Sequence, residues 1–586
     1  MCGIFGFVAG RPRDADEVVN GLRYLEYRGY DSWGVAVARD GDIVCEKAVG
    51  PITEADVHLP ASCAALGHTR WATHGGVTNA NAHPHTDCSG RLALIHNGIV
   101  ENHQELRYRL RRNHTFRSQT DTEVLVHLLE ETLDEVPDLL DALLMVFRQV
   151  AGLSAVAVLD AKTLQVAVSK NGSPLILGWG DEASYLASDA AALLDHTRRV
   201  TFLDDGQAAA LGPDGIRVYD VASGRPVNPD VRELSWDAQR ADLGGYAHYM
   251  AKEIDEQPRV LLDIAETKAE LIAQLVEMMS YADQVCLIGC GTAYHAGMAG
   301  RYFLAEMAGK PAGATMASEM GLVLPTLTDR SVVVALSQSG ETIDVLDAVK
   351  GARDRGARIA ALVNAEGSSL DRFADLTILL GCGPERCVLA TKSYTAKLGV
   401  MQMAAGLAAG NGGAATVREA GFQMGALLGR DDVREQVRRT ARAIADQQHL
   451  FVLGRDRNYP LALEAALKIK EVSYMHAEGF AAGELKHGVI ALVTYGTPCL
   501  ILAPDDAYRR EILASAAEVR ARGALTIGFS PRPEDEFDIT LPLSGSTASA
   551  PYEIAALSQL LAYELALLRG CDPDKPRNLA KSVTVR

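Results

Sequence analysis

A cysteine occupies the second position, in Met1-Cys2-Gly3-Ile4-Phe5-Gly6, so removal of the initiator Met, usual before a small residue, leaves a thiol and a free amine on one residue. An α-amine titrates near pH ~8 and a thiol near ~8.5, so at neutral pH this residue can supply a nucleophile and its own general base. The chemistry that fits is acyl transfer, in which a thiolate attacks an amide carbon and donors hold the oxyanion that develops. An Asn side chain and a Gly backbone N–H supply such donors at low steric cost, and Asn97-Gly98 is the candidate pair. Taken alone, the same dipeptide also reads as a type I′ hairpin turn.

A second set of residues points to phosphate. The segment Leu336-Ser337-Gln338-Ser339-Gly340-Glu341-Thr342 follows a Val-rich run and opens a helical pattern. It places the hydroxyls of Ser337, Ser339 and Thr342, the Gln338 amide and free backbone N–H groups at a helix N-terminus, which suits a phosphate monoester. A helix cap needs only one hydroxylated residue; here there are several, with Gly340 allowing close approach. Gly289-Cys290-Gly291-Thr292-Ala293 ends another strand of the same kind, where open α/β sheets bind ligands, so Gly291 and Thr292 are candidates for the other side of the phosphate. Farther on, Glu464, Lys468 and Glu471 share one helical face, a spacing that by itself reads as a solvated salt-bridge face.

The elements that must position these groups are of two kinds. Through residue 235, short β-rich runs such as Ser154–Leu159 and Leu164–Val168 are punctuated by Gly, Asp and Asn, which predicts stacked antiparallel sheets with some helices. A helix-prone stretch at 246–258 follows, and Pro258 reads as a junction. Beyond it, apolar strands ending in Gly or Ser alternate with longer helical segments, the pattern of βαβ units and a parallel sheet. This pattern occurs twice: Val285–Gly289 pairs with Leu450–Gly454, and Arg353-Asp354-Arg355-Gly356-Ala357 with Arg520-Ala521-Arg522-Gly523-Ala524, so an internal duplication is expected. The expected divisions are 2–235, a linker at 236–258, and two parallel-sheet domains at 259–430 and 431–586.

Composition bounds the function. The 586 residues, 48% hydrophobic and 23% charged, are enough for several domains with sizeable cores. A net charge of -18 repels phosphate backbones and anionic bilayers, so neither nucleic acid nor membrane is an expected partner. No apolar run reaches the length of a membrane span and the start lacks the basic region of a signal peptide, so a cytoplasmic location is expected. Ten cysteines without a C-x-x-C pair give neither a disulfide framework nor zinc spacing. Most of the histidines from His68 to His96 lie beside Gly, Pro or Asn in irregular stretches without helical i, i+4 spacing, so no metal is expected, and no organic cofactor is implied.

After Cys2 come Tyr27-Arg28-Gly29-Tyr30-Asp31-Ser32, Gly67-His68-Thr69-Arg70-Trp71-Ala72-Thr73-His74-Gly75, Asn81-Ala82-His83-Pro84-His85, His96-Asn97-Gly98-Ile99-Val100-Glu101-Asn102 and Thr120-Asp121-Thr122-Glu123. In that order they resemble the glutaminase domain of class II glutamine amidotransferases, an N-terminal-nucleophile αββα sandwich. The resemblance implies Arg70 and Asp121 as the partners of the substrate's α-carboxylate and α-ammonium, which a free amino acid presents together. Arg28, Trp71 and His74 fall in the same glutamine-binding motifs, and Trp71 resembles an aromatic gate on an ammonia passage.

The later part resembles two copies of the sugar isomerase (SIS) domain, each a doubly wound parallel sheet. Leu467-Lys468-Ile469-Lys470-Glu471-Val472-Ser473-Tyr474, His476-Ala477-Glu478, Gly483-Glu484-Leu485-Lys486-His487-Gly488 and Asn578-Leu579-Ala580-Lys581-Ser582-Val583-Thr584-Val585 carry the most specific part. Over essentially the whole chain the match is to aminotransferases that join such domains. The resemblance implies that L-glutamine and D-fructose 6-phosphate become L-glutamate and D-glucosamine 6-phosphate, in a homodimer. By the same resemblance His487 opens the sugar ring, Lys581 forms a Schiff base at C2 and Glu471 moves the C1 proton, with Lys468 beside it. The apolar, β-branched tail is expected to pack over the sugar site.

Three positions depart from the family pattern. Ala293 and Ala390 stand where relatives often carry Ser, which leaves Thr391 as the hydroxyl of the sugar-contact loop, and Trp33 replaces a small residue. Two other readings remain open on the sequence: another ketose phosphate or the deaminase direction, and a sugar-phosphate sensor, since fold does not fix function.

Overall fold

The computed structural model describes residues 2–234 and 243–584; Met1, the expected boundary at 235/236, residues 236–242 of the expected linker and the last two residues of the tail lie outside the described residues. The chain forms two compact units, Met1–Arg240 with Ala580–Arg586, and Ala241–Leu579.

The first unit is built on two sheets. In the eight-stranded sheet, the strand Gly3–Arg13 runs antiparallel between Ser62–Arg70 and Ala183–Ala187. In the seven-stranded sheet, Leu92–Gly98 lies between His85–Thr86 and Ser154–Asp160. Side chains alternate across a strand, so Ile4 and Val8 face inward to share a core with Ile95, Ala157 and Val166 of the other sheet. Phe5 and Phe7 point the opposite way and meet Val18, Leu22 and Leu25 of the helix Asp16–Leu25. The helices Glu123–Thr132 and Leu139–Phe147 cover the outer face of the second sheet. The result is the αββα sandwich expected of an N-terminal nucleophile.

The second unit holds two five-stranded parallel sheets with one strand order. Gln284–Gly289 lies between Gly313–Met316 and Ser331–Ser337, followed by Arg358–Val363 and Leu376–Leu379. His449–Gly454 likewise lies between His476–Ala481 and Pro498–Leu502, followed by Leu525–Ser530 and Ile539–Pro542. The shared order is the doubly wound topology, and it bears out the duplication read from the repeated motifs. Ser331–Ser337 is buried along its whole length, which is why it reads as a continuous apolar run.

Pro258 is a correction. It does not mark a junction but sits inside the helix Tyr249–Thr267. A proline there removes the N–H that would bond the carbonyl four residues back. The Gln257 side chain supplies the missing donor: its Nε2 reaches the Ile254 carbonyl oxygen at 3.1 Å and Gln559 Oε1 at 2.8 Å, while its Oε1 accepts from the Thr395 hydroxyl. The helix therefore continues through the proline.

Candidate active site

In the first unit, Cys2, Arg28, Trp71, Thr73, Asn97 and Gly98 line one pocket, to which Thr584 of the carboxy-terminal segment also contributes. The Trp71 backbone N–H donates to Cys2 Sγ at 3.2 Å. Burial pushes the thiol's pKa up, opposed by that N–H and by the nearby Arg70 guanidinium. Asn97 and Gly98 end the strand Leu92–Gly98 and are not a hairpin turn. A side chain at Gly98, whose φ is +140°, would place its Cβ 1.9 Å from the Leu153 carbonyl oxygen. Only glycine fits.

The Asn97 amide is aimed from both ends. Its Nδ2 donates to the Cys2 carbonyl oxygen at 2.9 Å, and its Oδ1 lies 3.0 Å from His68 Nε2. His68 Nε2 also lies 3.1 Å from the His96 carbonyl oxygen, so this nitrogen faces two acceptors and must carry the proton. Burial holds the His68 pKa down to about 3, so the ring is neutral. His68 thereby fixes which end of the Asn97 amide presents N–H groups toward Cys2. Sequence reading places His68 within a motif and gives it no role; its alternation with Arg70 on the strand Ser62–Arg70 is the available signal.

Arg70 and Asp121 are both buried. The Arg70 guanidinium holds the loop that follows it, donating to the Gly76 carbonyl oxygen at 3.2 Å and to that of His74. Asp121 Oδ2 accepts from the Val100 N–H at 2.5 Å. Asp31, also missed by sequence reading, accepts from the Ala72 N–H at 2.8 Å and so fixes the backbone beyond Trp71. Arg28 reaches Asp189 at 3.0 Å.

In the second unit, Ser337 ends its strand and the helix Ile343–Arg353 begins after Thr342. Between them the loop is folded on itself: Gly340 N–H donates to Ser337 Oγ at 3.0 Å, and Glu341 N–H to Ser339 Oγ at 3.2 Å. Gly340 has a φ of +66°, and a Cβ there would meet Ser368 Oγ at 2.1 Å. Gln338 and Thr342 complete the loop at the helix N-terminus, where backbone N–H groups and the helix dipole favour an anion.

The row Glu464, Lys468 and Glu471 lies on the helix Tyr459–Ser473, and it is not the solvated face its spacing suggests. Glu464 and Lys468 are only 2% and 1% exposed. Lys468 Nζ lies 2.7 Å from Glu471 Oε2 and 3.5 Å from Glu464 Oε1. Burial pulls the lysine's pKa down, but the two carboxylates outweigh it, and the ammonium stays charged. The first copy closes the row, because Thr292 Oγ1 donates to Glu464 Oε1 at 3.1 Å and His295 Nδ1 lies 2.8 Å from Glu464 Oε2. Thr292 is thus committed to Glu464, with Gly291 capping its helix at a φ of +52°. Thr391 is fully buried and gives its hydroxyl to Glu253 at 2.6 Å, with its N–H to Glu385 at 2.9 Å.

The structure brings together the 337–342 loop residues in one turn, and Thr292, Glu464, Lys468 and Glu471 in one cluster. His487 stands exposed at the end of the short helix Ala482–His487, and among the described residues no hydrogen bond or ion pair joins it to that cluster. Lys581 is half-buried in the carboxy-terminal segment, whose described residues 580–584 group with the first unit.

A pocket that sets Cys2 beside Asn97 and Gly98 in an αββα sandwich, carried on one chain with a hydroxyl-rich loop at a helix start in a duplicated parallel-sheet unit, matches the make-up of a glutamine-dependent amidotransferase with sugar-phosphate domains. Family models agree, matching a glutamine amidotransferase domain at residues 51–211 and an SIS domain twice, at 278–407 and 443–568. The chain is 40% identical over 619 residues to a glutamine–fructose-6-phosphate aminotransferase (isomerizing) of Pyrococcus horikoshii, covering 100% of both chains. It is 41% identical over 607 residues to one from Thermus thermophilus, again covering 100% of both. Among solved structures, the C-terminal domain of glucosamine-fructose-6-phosphate aminotransferase from Francisella tularensis aligns with a TM-score of 0.51 at 30% identity, over 57% of this chain and 100% of that one. The chain belongs to the glutamine–fructose-6-phosphate aminotransferase (isomerizing) family.

Proposed function

We propose that the chain converts L-glutamine and D-fructose 6-phosphate into L-glutamate and D-glucosamine 6-phosphate. The observation that carries this reading is the full-length similarity to such enzymes together with the Cys2–Asn97–His68 arrangement. The Cys2 thiolate attacks the glutamine side-chain amide, the Asn97 amide and the Gly98 N–H hold the oxyanion, and ammonia leaves as a glutamyl thioester forms. Water then releases glutamate. The Cys2 amine serves as base once Met1 is removed, and Arg70, Asp121, Arg28, Trp71 and His74 form the glutamine pocket.

The sugar phosphate docks on Ser337, Gln338, Ser339 and Thr342, with the Gly291–Thr292 helix start opposite. His487 opens the ring and Lys581 forms the Schiff base at C2, which ammonia displaces. Glu471 carries the C1 proton to C2, steadied by the charged Lys468 at 2.7 Å. Ammonia passes internally between the sites, which avoids its protonation by bulk water. Among the described residues no helix is long and apolar enough to cross a membrane, which supports a cytoplasmic location. A homodimer is part of the proposal, supported by large apolar side chains left exposed on the second unit, Leu322 at 88% and Tyr495 at 95%.

The test is isotopic. With amide-15N glutamine and fructose 6-phosphate in excess unlabelled ammonium, the proposal expects 15N in glucosamine 6-phosphate. Unlabelled product would refute internal transfer, and no amino sugar would refute the substrate.

A further inference from the structure

We propose that the first unit carries a structural zinc-class metal site formed by Cys88, His114, His127 and Glu130, apart from the residues assigned to catalysis. Sequence reading expects no metal because it compares the histidines from His68 to His96 among themselves. The convergent set instead joins a turn, a loop and a helix. Cys88 follows the strand His85–Thr86, His114 lies in the loop before the helix Glu123–Thr132, and His127 and Glu130 stand on that helix with i, i+3 spacing.

All four donor atoms lie within 4.8 Å of one another, and four of their six separations are close to the edges of a zinc tetrahedron. Cys88 Sγ lies 3.6 Å from His114 Nδ1 and 3.8 Å from His127 Nδ1, and Glu130 Oε2 lies 3.1 Å and 3.4 Å from the same two nitrogens. A tetrahedral zinc with bonds of about 2.3 Å to sulfur and about 2.0 Å to nitrogen and oxygen has edges of roughly 3.5 Å (S···N) and roughly 3.3 Å (N···O). One thiolate, two imidazoles and one carboxylate suit Zn2+ over Mg2+ or Ca2+, which take oxygen. The thiolate and carboxylate together also neutralise a divalent charge.

The contacts around the four donors point the same way. His114 Nε2 lies 3.0 Å from Glu131 Oε1, which holds the ring with Nδ1 turned toward the Glu130 carboxylate and the Cys88 sulfur. Two imidazole nitrogens, a carboxylate oxygen and a sulfur thus converge on one point, an arrangement that a divalent cation satisfies with all four at once. A carboxylate on the far nitrogen is the usual second partner of a metal-bound histidine, and His127 Nε2, which is buried without a hydrogen-bond partner, has Glu123 at 3.8 Å. The Thr115 N–H donates to Cys88 Sγ at 3.4 Å, and the Cys88 N–H to Glu130 Oε2 at 3.1 Å. Both imidazoles are nearly sealed from solvent, with side-chain exposures of 2% and 1%.

Four protein ligands close the coordination sphere, so the role is structural. The ion would tie the turn before the strand that ends in Asn97-Gly98 to the helix that begins just after Asp121.

The experiment uses the full-length protein reduced with a phosphine, exposed to Zn2+ alone, freed of loose metal by gel filtration and analysed by plasma mass spectrometry. One zinc per chain is expected in the wild type and in Cys2→Ala, with loss in Cys88→Ser and in His127→Gln. Zinc should also raise the thermal midpoint of the wild type by several degrees and leave the variants unmoved. Less than about a tenth of an ion per wild-type chain, or undiminished zinc in Cys88→Ser, would overturn the proposal. Should the variants fail to fold, Co2+ titration of the wild type decides: an intense tetrahedral spectrum with a thiolate charge-transfer band supports the site, and a weak octahedral spectrum refutes it.

Discussion

At the scale of single residues, the decisive geometry is the orientation of one amide. His68 fixes Asn97, and Asn97 presents N–H groups to Cys2. Replacing Asn97 with Ala is expected to lower the glutaminase kcat by about 10²- to 10³-fold, the usual cost of losing one oxyanion donor. His68→Leu should cause a smaller drop in kcat with little change in KM, because it frees the amide to turn without touching substrate; a KM effect alone would refute the positioning role. His68 belongs to a group of buried imidazoles with His83, His85 and His96, all held neutral by burial, His68 and His85 with pKa values of about 3. Their pKa values lie below the unfolded value of about 6.5, so the unfolded chain binds more protons as pH falls between about 6.5 and 3. Stability is therefore full above about pH 6.5 and declines below it, by up to about 1.4 kcal/mol per pH unit for each such ring. Thermal unfolding of the glutaminase unit from about pH 7.5 to 5 should show a falling midpoint, and a flat profile would contradict this assignment.

At the scale of elements, the loop Ser337–Thr342 and the helix Tyr459–Ser473 carry the sugar half of the proposal. Gly340→Ala should raise the KM for fructose 6-phosphate at least about 10-fold while sparing glutamine hydrolysis, since the added Cβ displaces the Ser368 side chain and the positive φ strains the turn. Gln257→Leu should destabilise the second unit by about 1–3 kcal/mol in denaturant titration, because it strips the donor that serves the Ile254 carbonyl ahead of Pro258. These same elements show what was legible beforehand. The βαβ alternation, the duplication and the hydroxyl-rich loop are local patterns, and the structure shows all of them. Pro258 misleads because the donor that lets a helix pass a proline is a side chain one residue away, reinforced by Gln559, some three hundred residues on. The burial of Glu464 and Lys468 is equally hidden, since spacing gives a face but not what covers it. Here Thr292 and His295 of the other copy cover it. In the same way His127 and Glu130 are visible as an i, i+3 pair, while Cys88 and His114 reach them only through the fold.

At the scale of the whole molecule, a glutamine amidotransferase domain and two SIS domains stand on one chain. Lys468→Met would remove the ammonium between Glu464 and Glu471, and breaking a buried ion pair by removing one partner costs about 3–5 kcal/mol. The second unit should lose stability and sugar turnover together, whereas glutamine hydrolysis by the first unit should persist. The central claim, that nitrogen released at Cys2 ends on the sugar, is tested most directly by following glutamate and glucosamine 6-phosphate separately, in the wild type and in Cys2→Ala. Equal yields of both from the wild type, with both lost in Cys2→Ala on glutamine and the amino sugar restored by ammonium, is the predicted result. Glutamate formed by the wild type without glucosamine 6-phosphate, or amino sugar made from glutamine by Cys2→Ala, would contradict it.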